Sequence, residues 1–139
     1  MKKPQNGVNQ QPDLATKSLD NIRILVVDDH EIVRKGLHAL LSEQPDMEVV
    51  SVASNGEEAM QMLEDGLQTD VLLADLHMPG MNGLQLTQSA LALSNKIRVF
   101  ILTLTDTHNF DQTAKEAGVS GYISKTEDFN ALIAMIRSH

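Results

Sequence analysis

The chain has no cysteine among its 139 residues. Disulfides and thiolate metal sites are thereby excluded, and the composition fits a reducing compartment, so a cytoplasmic location is expected. Tryptophan is also absent, and with one Tyr and three Phe the aromatic share is only 3%. A core must then be aliphatic, built from Leu, Ile, Val, Ala and Met. No apolar run approaches the roughly eighteen residues of a membrane span. The opening MKKPQNGVNQQPDL has two lysines but no apolar stretch behind them, so it does not read as a secretory signal. Positive charge is scarce: 11 Lys and Arg stand against 19 Asp and Glu, a net charge of −8. Because nucleic-acid binding needs clustered cations, this chain is not expected to hold nucleic acid by itself.

What is present is ordinary for one globular domain, at 42% hydrophobic and 22% charged. Residues 1–20 are rich in Gln, Asn, Pro and Lys without periodicity and read as a disordered tail, leaving 21–139 as the folded domain. From Asn21 onward, short apolar runs alternate with amphipathic stretches. The runs are 22–27 (IRILVV), 49–53 (VVSVA), 71–74 (VLLA), 99–102 (VFIL) and 122–123 (YI). Runs this short and rich in Val, Ile and Leu suggest buried strands. Between them the spacing turns helical, with shared faces at Val33/Leu37/Leu40/Leu41, Ala59/Met62/Leu63/Leu67, Leu86/Ala90/Leu93, Phe110/Ala114/Ala117 and Phe129/Leu132/Ile133/Ile136. Asn55-Gly56 and Pro79-Gly80 mark turns, and Gly118 sits where a helix should stop. Strand–helix alternation repeated five times predicts a doubly wound, three-layer α/β domain with a five-stranded parallel sheet and five helices. In such sheets ligands bind outside the carboxyl ends of the strands.

The residues that follow the runs are therefore the ones to weigh. IRILVV is followed by Asp28-Asp29, VLLA by Asp75, VFIL by Thr103, and GYIS by Lys125. Each alone has a plain structural explanation. Either of the paired aspartates could cap the next helix, Asp75 could be a solvated loop acid, Thr103 could satisfy its own backbone, and Lys125 could be surface charge. Their coincidence at four strand ends is what carries weight. Three close carboxylates repel unless a cation intervenes. A hard cation that takes one or two carboxylates, waters and phosphate is Mg²⁺, with Mn²⁺ a substitute. A carboxylate beside such an ion can attack phosphorus to give an aspartyl-phosphate. An ammonium and a hydroxyl would stabilise the phosphoryl charge. No further His, Glu or Asp is spaced as an efficient hydrolytic base, so the set looks built to hold a phosphoryl group more than to turn it over.

ILVVDDHEIVRKGL, DVLLADLHMPGMNGL, ILTLTD and AGVSGYISKTED, in that order, resemble the successive signatures of response-regulator receiver (CheY-like) domains. The DDH opening and the SGYISK segment are most similar to the NarL/LuxR-type group, whose members usually carry a C-terminal helix-turn-helix. The resemblance runs from about Asn21 to the end of the chain. It implies a flavodoxin-like strand order of 2-1-3-4-5. It also implies that a sensor histidine kinase or phosphotransfer protein phosphorylates Asp75. Asp29, Asp75 and the backbone carbonyl of His77 would ligate Mg²⁺, with Asp28 acting mainly through water. Lys125 would pair with Asp75 and the phosphoryl oxygens. Thr103 would move toward the phosphoryl group and Tyr122 would turn inward, biasing a face from about Asp106 through Ile136. Without the motif, Tyr122 would read as half-buried packing. Homodimerisation on phosphorylation is a property the family allows.

Two positions depart from the common pattern. Many receivers have a cis-proline after the lysine, whereas Thr126 follows Lys125 here. A cis bond before a non-proline residue costs roughly 3 kcal/mol, so the geometry of that peptide stays open. At His77 three readings stand, namely shielding the phosphoryl group, orienting an attacking water, or facing solvent, and Thr105 carries the same ambiguity for phosphate lifetime. His30, His38, His108 and His139 lack the spacing of a metal site and read as structural or exposed. Two other functions compete with this reading. A Mg²⁺-dependent phosphohydrolase of the haloacid-dehalogenase type would carry a second Asp two residues after its nucleophile, where His77 stands. A stand-alone regulator acting by protein contact competes with the receiver half of a DNA-binding regulator. The ending Ile136-Arg137-Ser138-His139, directly on the last predicted helix, favours the latter as an expectation. No enzymatic activity is expected beyond the domain's own phosphoryl transfer and slow self-dephosphorylation.

Overall fold

A computed structural model describes residues 21–103, 111–124 and 129–138. Its elements run β1 (Ile22–Val27), α1 (Glu31–Ser42), β2 (Met47–Ala53), α2 (Gly56–Glu64), β3 (Val71–Asp75), α3 (Gly83–Leu93), β4 (Arg98–Thr103), α4 (Asp111–Ala117), β5 (Gly121–Ser124) and α5 (Phe129–Ser138). The five strands form one sheet in the order β2-β1-β3-β4-β5, and every neighbouring pair is parallel. The expected fold class and strand order are met. Each predicted strand is present, four of them one or two residues longer than their apolar run because pairing continues beyond the large apolar side chains.

The alternation of side chains along a strand sorts the aliphatic residues to two faces. Leu25, Val27, Leu72, Ala74, Val99 and Ile101 face Ala59 and Leu63 of α2 and Leu86 and Ala90 of α3. Ile24, Val26, Val71, Leu73, Phe100 and Leu102 face Leu41 of α1 and Leu132, Ile133 and Ile136 of α5. Two predicted helix-face members do not pack inward: Leu40 is 41% exposed and Leu93 50%. On α1 the inward line is Val33, Leu37 and Leu41, and Leu40 lies about 100° around the helix from Leu41. Leu93 is the last residue of its helix. Phe110, the first member of the fourth face, lies outside the described residues, while Ala114 and Ala117 are buried as expected.

Basic residues are concentrated at the end of the sheet where the strands begin. Arg23 donates to Asp70 from Nε at 3.0 Å and Nη2 at 3.1 Å, and its backbone amide donates to the same carboxylate at 2.8 Å. Arg98 Nη1 donates to the carbonyl of Ile136 at 3.0 Å. Arg137 grips Asp46 with two bonds of 2.8 Å, tying α5 to the start of β2. The Arg23 guanidinium, chiefly through hydrogen bonding, holds the Asp70 carboxyl below its ordinary value of 3.8. A depressed carboxyl contributes stability that is fully present above the unfolded value and is lost as pH falls through the folded one. With Asp70 37% exposed, solvent limits the effect. Asp70→Asn should therefore unfold at lower urea than the wild type at neutral pH, by less than about 1 kcal/mol. The gap should narrow as pH falls below 3.8 and close once pH has passed the depressed folded-state value.

Candidate functional site

The opposite, carboxyl end of the sheet holds a cluster of acidic residues, Asp28, Asp29 and Asp75. Register explains how they meet. Val27 of β1 pairs with Ala74 of β3, so the residues that follow them, Asp28 and Asp75, stand side by side. Asp75 itself pairs with Leu102, which brings it beside Thr103, and Thr103 pairs with Ser124 immediately before Lys125. Asp28 and Thr103 are fully buried and Asp75 is 4% exposed. Asp29 is more open, with 29% of its side chain accessible.

Asp28, Asp29, His30 and Asp75 each offer a ligand atom, and these four atoms lie within 4.8 Å of one another. Neither paired aspartate caps the following helix. The N-cap of α1 is His30, with no side-chain cap bond, and Asp28 Oδ1 instead accepts from the His30 amide at 2.8 Å. The Asp28 carbonyl accepts from Arg34 Nη1 at 2.7 Å, and its amide donates to Ala53 at 3.1 Å. Asp28 is thus fixed by backbone and by α1, with its carboxylate turned toward Asp75. Asp75 Oδ1 lies 3.4 Å from the His77 amide, and the Leu76 amide donates to Leu102 at 2.9 Å.

His77 itself is exposed. Tyr122 is half-buried and packs against the α2–α3 side of the core. Lys125, Thr105 and the Lys125–Thr126 peptide lie outside the described residues. Sequence reading missed His30: its Nδ1 sits 3.0 Å from Asp28 Oδ1 and 3.1 Å from Asp29 Oδ1. Histidine-to-histidine spacing gave no hint of this, but direct adjacency to two aspartates at a strand end was a usable signal. Glu57 was also missed. Its carboxylate accepts from the Met81 amide at 3.2 Å, bracing the loop after Asp75 from the start of α2.

The loop between β3 and α3 is seated by close backbone approach. The Gly83 amide donates to Leu76 at 2.9 Å. A Cβ on Gly83 would lie 2.6 Å from the Asp75 carbonyl oxygen and 3.0 Å from Leu76 Cα, so no side chain fits. Asn82 and Gln85 form a reciprocal capping box that starts α3 at that point. Gly80, at φ +77°, makes the turn that carries the chain there.

Chemically, closely packed carboxylate oxygens at a sheet edge suit a hard divalent cation better than any neutral ligand. A family model for the response regulator receiver domain matches residues 24–137. The chain belongs to the response regulator receiver family. It is 38% identical to the nitrate/nitrite response regulator protein NarL of Escherichia coli over 102 residues, 73% of this chain and 47% of that protein. It is 37% identical to the transcriptional regulatory protein LiaR of Bacillus subtilis over 117 residues, 84% of this chain and 55% of that protein. A two-component response regulator of the LuxR family from Aurantimonas superposes with a TM-score of 0.79 at 33% identity, covering 85% of this chain and 84% of that one. These are regulators of the NarL/LuxR type, and the chain is a receiver domain of a two-component response regulator. It spans about half the length of the curated relatives it matches. No helix of the described residues is long and apolar enough to cross a membrane.

The seat of Asp75 can be probed through glycine. Gly83→Ala should lower unfolding stability by about 1–3 kcal/mol, because backbone must shift to admit the methyl group. Gly36→Ala, at a helical site with nothing within 4 Å, should be neutral or stabilising by up to about 1 kcal/mol. Urea unfolding of the two variants beside the wild type checks the contrast.

Proposed function

We propose that Asp75 is the phosphoryl acceptor of this receiver. The observation that carries the reading is the convergence of Asp28, Asp29 and Asp75 within 4.8 Å at the end of β1 and β3, next to buried Thr103. Asp28, Asp29, Asp75 and the backbone carbonyl of His77 would hold Mg²⁺, or Mn²⁺ in its place. When bound, the ion neutralises the carboxylates and the phosphoryl oxygens.

In the transfer, an Asp75 carboxylate oxygen forms a bond to phosphorus as the nitrogen–phosphorus bond of a donor phosphohistidine breaks, its electron pair staying with the departing imidazole. Register aligns Asp75 for this role: it is the last residue of β3, nearly buried yet at the open edge of the sheet. Thr103, at the same edge of the next strand, donates its hydroxyl to the new phosphoryl group, and Lys125 contributes its ammonium. Filling of the space that Thr103 leaves by Tyr122, which is half-buried one strand further on, passes the change to α4, β5 and α5. His77 and Thr105 are the positions at which phosphate lifetime would be tuned, and the exposure of His77 suits a residue that meets solvent.

The donor is a sensor histidine kinase or phosphotransfer protein. The output is transcriptional, a reading supported by the relative named a transcriptional regulatory protein, with DNA bound through an output domain and dimerisation on phosphorylation as the coupling. Residues 21–139 act as the receiver unit, preceded by a tail at 1–20. The protein works in the cytoplasm and catalyses only its own phosphorylation and slow dephosphorylation. Incubation with acetyl phosphate and Mg²⁺ should add the mass of one phosphoryl group, seen by intact-mass spectrometry. The adduct should be absent from Asp75→Asn and from wild type treated with a chelator. A wild type that gains no mass overturns the reading.

A further inference from the structure

Two acids, Glu57 and Glu58, stand in the first turn of α2, and they behave differently. Glu58 Oε1 reaches back over the start of its own helix, accepting from the Ser54 amide at 2.6 Å and the Ser54 hydroxyl at 3.0 Å. An exposed acid at such a place needs no partner beyond the positive end of the helix dipole. Glu57 nevertheless leaves its helix. Its Oε2 accepts from the Met81 amide at 3.2 Å, 24 residues further along the chain.

That bond is one half of a two-point contact. A Cβ on Gly56 would lie 2.9 Å from Met81 Cβ, so the Met81 side chain rests directly on the backbone at the start of α2. A Cβ on Gly80 would lie 2.9 Å from Glu57 Oε2, so the carboxylate rests on the turn that precedes Met81. Residues 56 and 57 therefore close on residues 80 and 81. The helix start that does the holding is itself fixed, because Asn55 caps it by accepting from the Glu58 amide at 2.7 Å.

The loop held in this way runs from Leu76 to Asn82 and contains His77, whose carbonyl is a proposed ligand of the cation. Its base is closed by the Gly83 amide, which donates to Leu76 at 2.9 Å, and Leu76 is bonded in turn to Leu102 of β4. A loop closed at its base can still pivot about that base, and a pivot changes where each carbonyl points. Burial of Met78 adds packing, which has little directionality. A hydrogen bond is directional, and the Glu57 bond stops the pivot at the far end. Groups behind a ligand that fix its direction set affinity much as the ligand does. We propose that Glu57 is a positioning residue for the cation pocket, holding the β3–α3 loop through the Met81 amide so that the His77 carbonyl meets the ion. The inference rests on the reading that the pocket holds a divalent cation, and deepens it by naming a residue that sets the affinity without touching the ion.

Mn²⁺ is the probe, with the whole chain in solution, and electron paramagnetic resonance of the free ion gives the affinity. Two substitutions separate the hydrogen bond from the charge. Glu57→Asp keeps the charge but draws the carboxylate back by one methylene, out of reach of Met81. Glu57→Gln removes the charge and keeps an oxygen of the same reach that accepts from the amide. Glu57→Asp should bind Mn²⁺ about fivefold more weakly than the wild type, the worth of one hydrogen bond. Glu57→Gln should stay within about twofold, since an exposed charge is screened. Glu57→Ala replaces Glu57→Asp should the latter not fold, with the same loss expected. Affinity kept in Glu57→Asp and lost in Glu57→Gln makes charge the cause and overturns the positioning role. Urea stability lost in Glu57→Asp with Mn²⁺ affinity intact assigns the bond to folding alone and overturns it too, while the cation pocket stands. No Mn²⁺ binding by the wild type, or binding undiminished in Asp75→Asn, overturns the pocket itself and this inference with it.

Discussion

Mutual repulsion among Asp28, Asp29 and Asp75 is the constraint on which the rest of the structure turns. Their ligand atoms are held within 4.8 Å, and two of the three side chains are almost wholly removed from solvent. Such crowding persists only if the backbone beneath it cannot relax. The sheet supplies that rigidity. Asp28 and Asp75 extend neighbouring parallel strands whose side chains are buried on both faces, so neither can retreat without breaking strand pairing. Charge is distributed accordingly along the sheet axis, with the Arg23–Asp70 and Arg137–Asp46 pairs at the end where strands begin and the crowded acids at the end where they finish.

The loops add what the strands cannot. Close approach of Gly83 to the Asp75 carbonyl, the Asn82–Gln85 capping box and the Glu57 bond to Met81 fix the chain just beyond the proposed acceptor. Arg34 does the same for Asp28 from α1. None of these groups needs to touch a phosphoryl group. Their effect is to make the acidic pocket a rigid feature against which a small movement of Thr103 and Tyr122 could be read out, since a switch needs one fixed part and one part with two arrangements.

Much of this was legible in the sequence because strand-end chemistry depends on local order. A Val/Ile/Leu run marks a strand, and the residue after it must appear at the sheet's carboxyl edge. That logic alone brings Asp28, Asp75 and Thr103 together. It could not say which aspartate would be buried, because Asp28 and Asp29 differ only by the pleat that turns one inward. It also failed where a helix face meets its limit, at Leu40 and Leu93, since spacing cannot locate the edge of the packed stripe. His30 escaped because metal-site reasoning looked for histidines spaced from one another, whereas the relevant partners were its own two preceding neighbours. Glu57 escaped because its partner is a backbone amide 24 residues away, a contact created only by the fold. Lys125 and Thr105 lie outside the described residues, so a place for them beside Asp75 is an expectation from motif order.

In the proposed function the covalent bond to phosphorus is made by the carboxylate of Asp75 and by no other acid in the pocket. Borohydride reduction of the phosphorylated chain converts an aspartyl-phosphate to homoserine, which peptide sequencing by tandem mass spectrometry locates. Homoserine at position 75 alone is the predicted result. Homoserine at Asp28 or Asp29, or a phosphorylated chain that yields none, would contradict it.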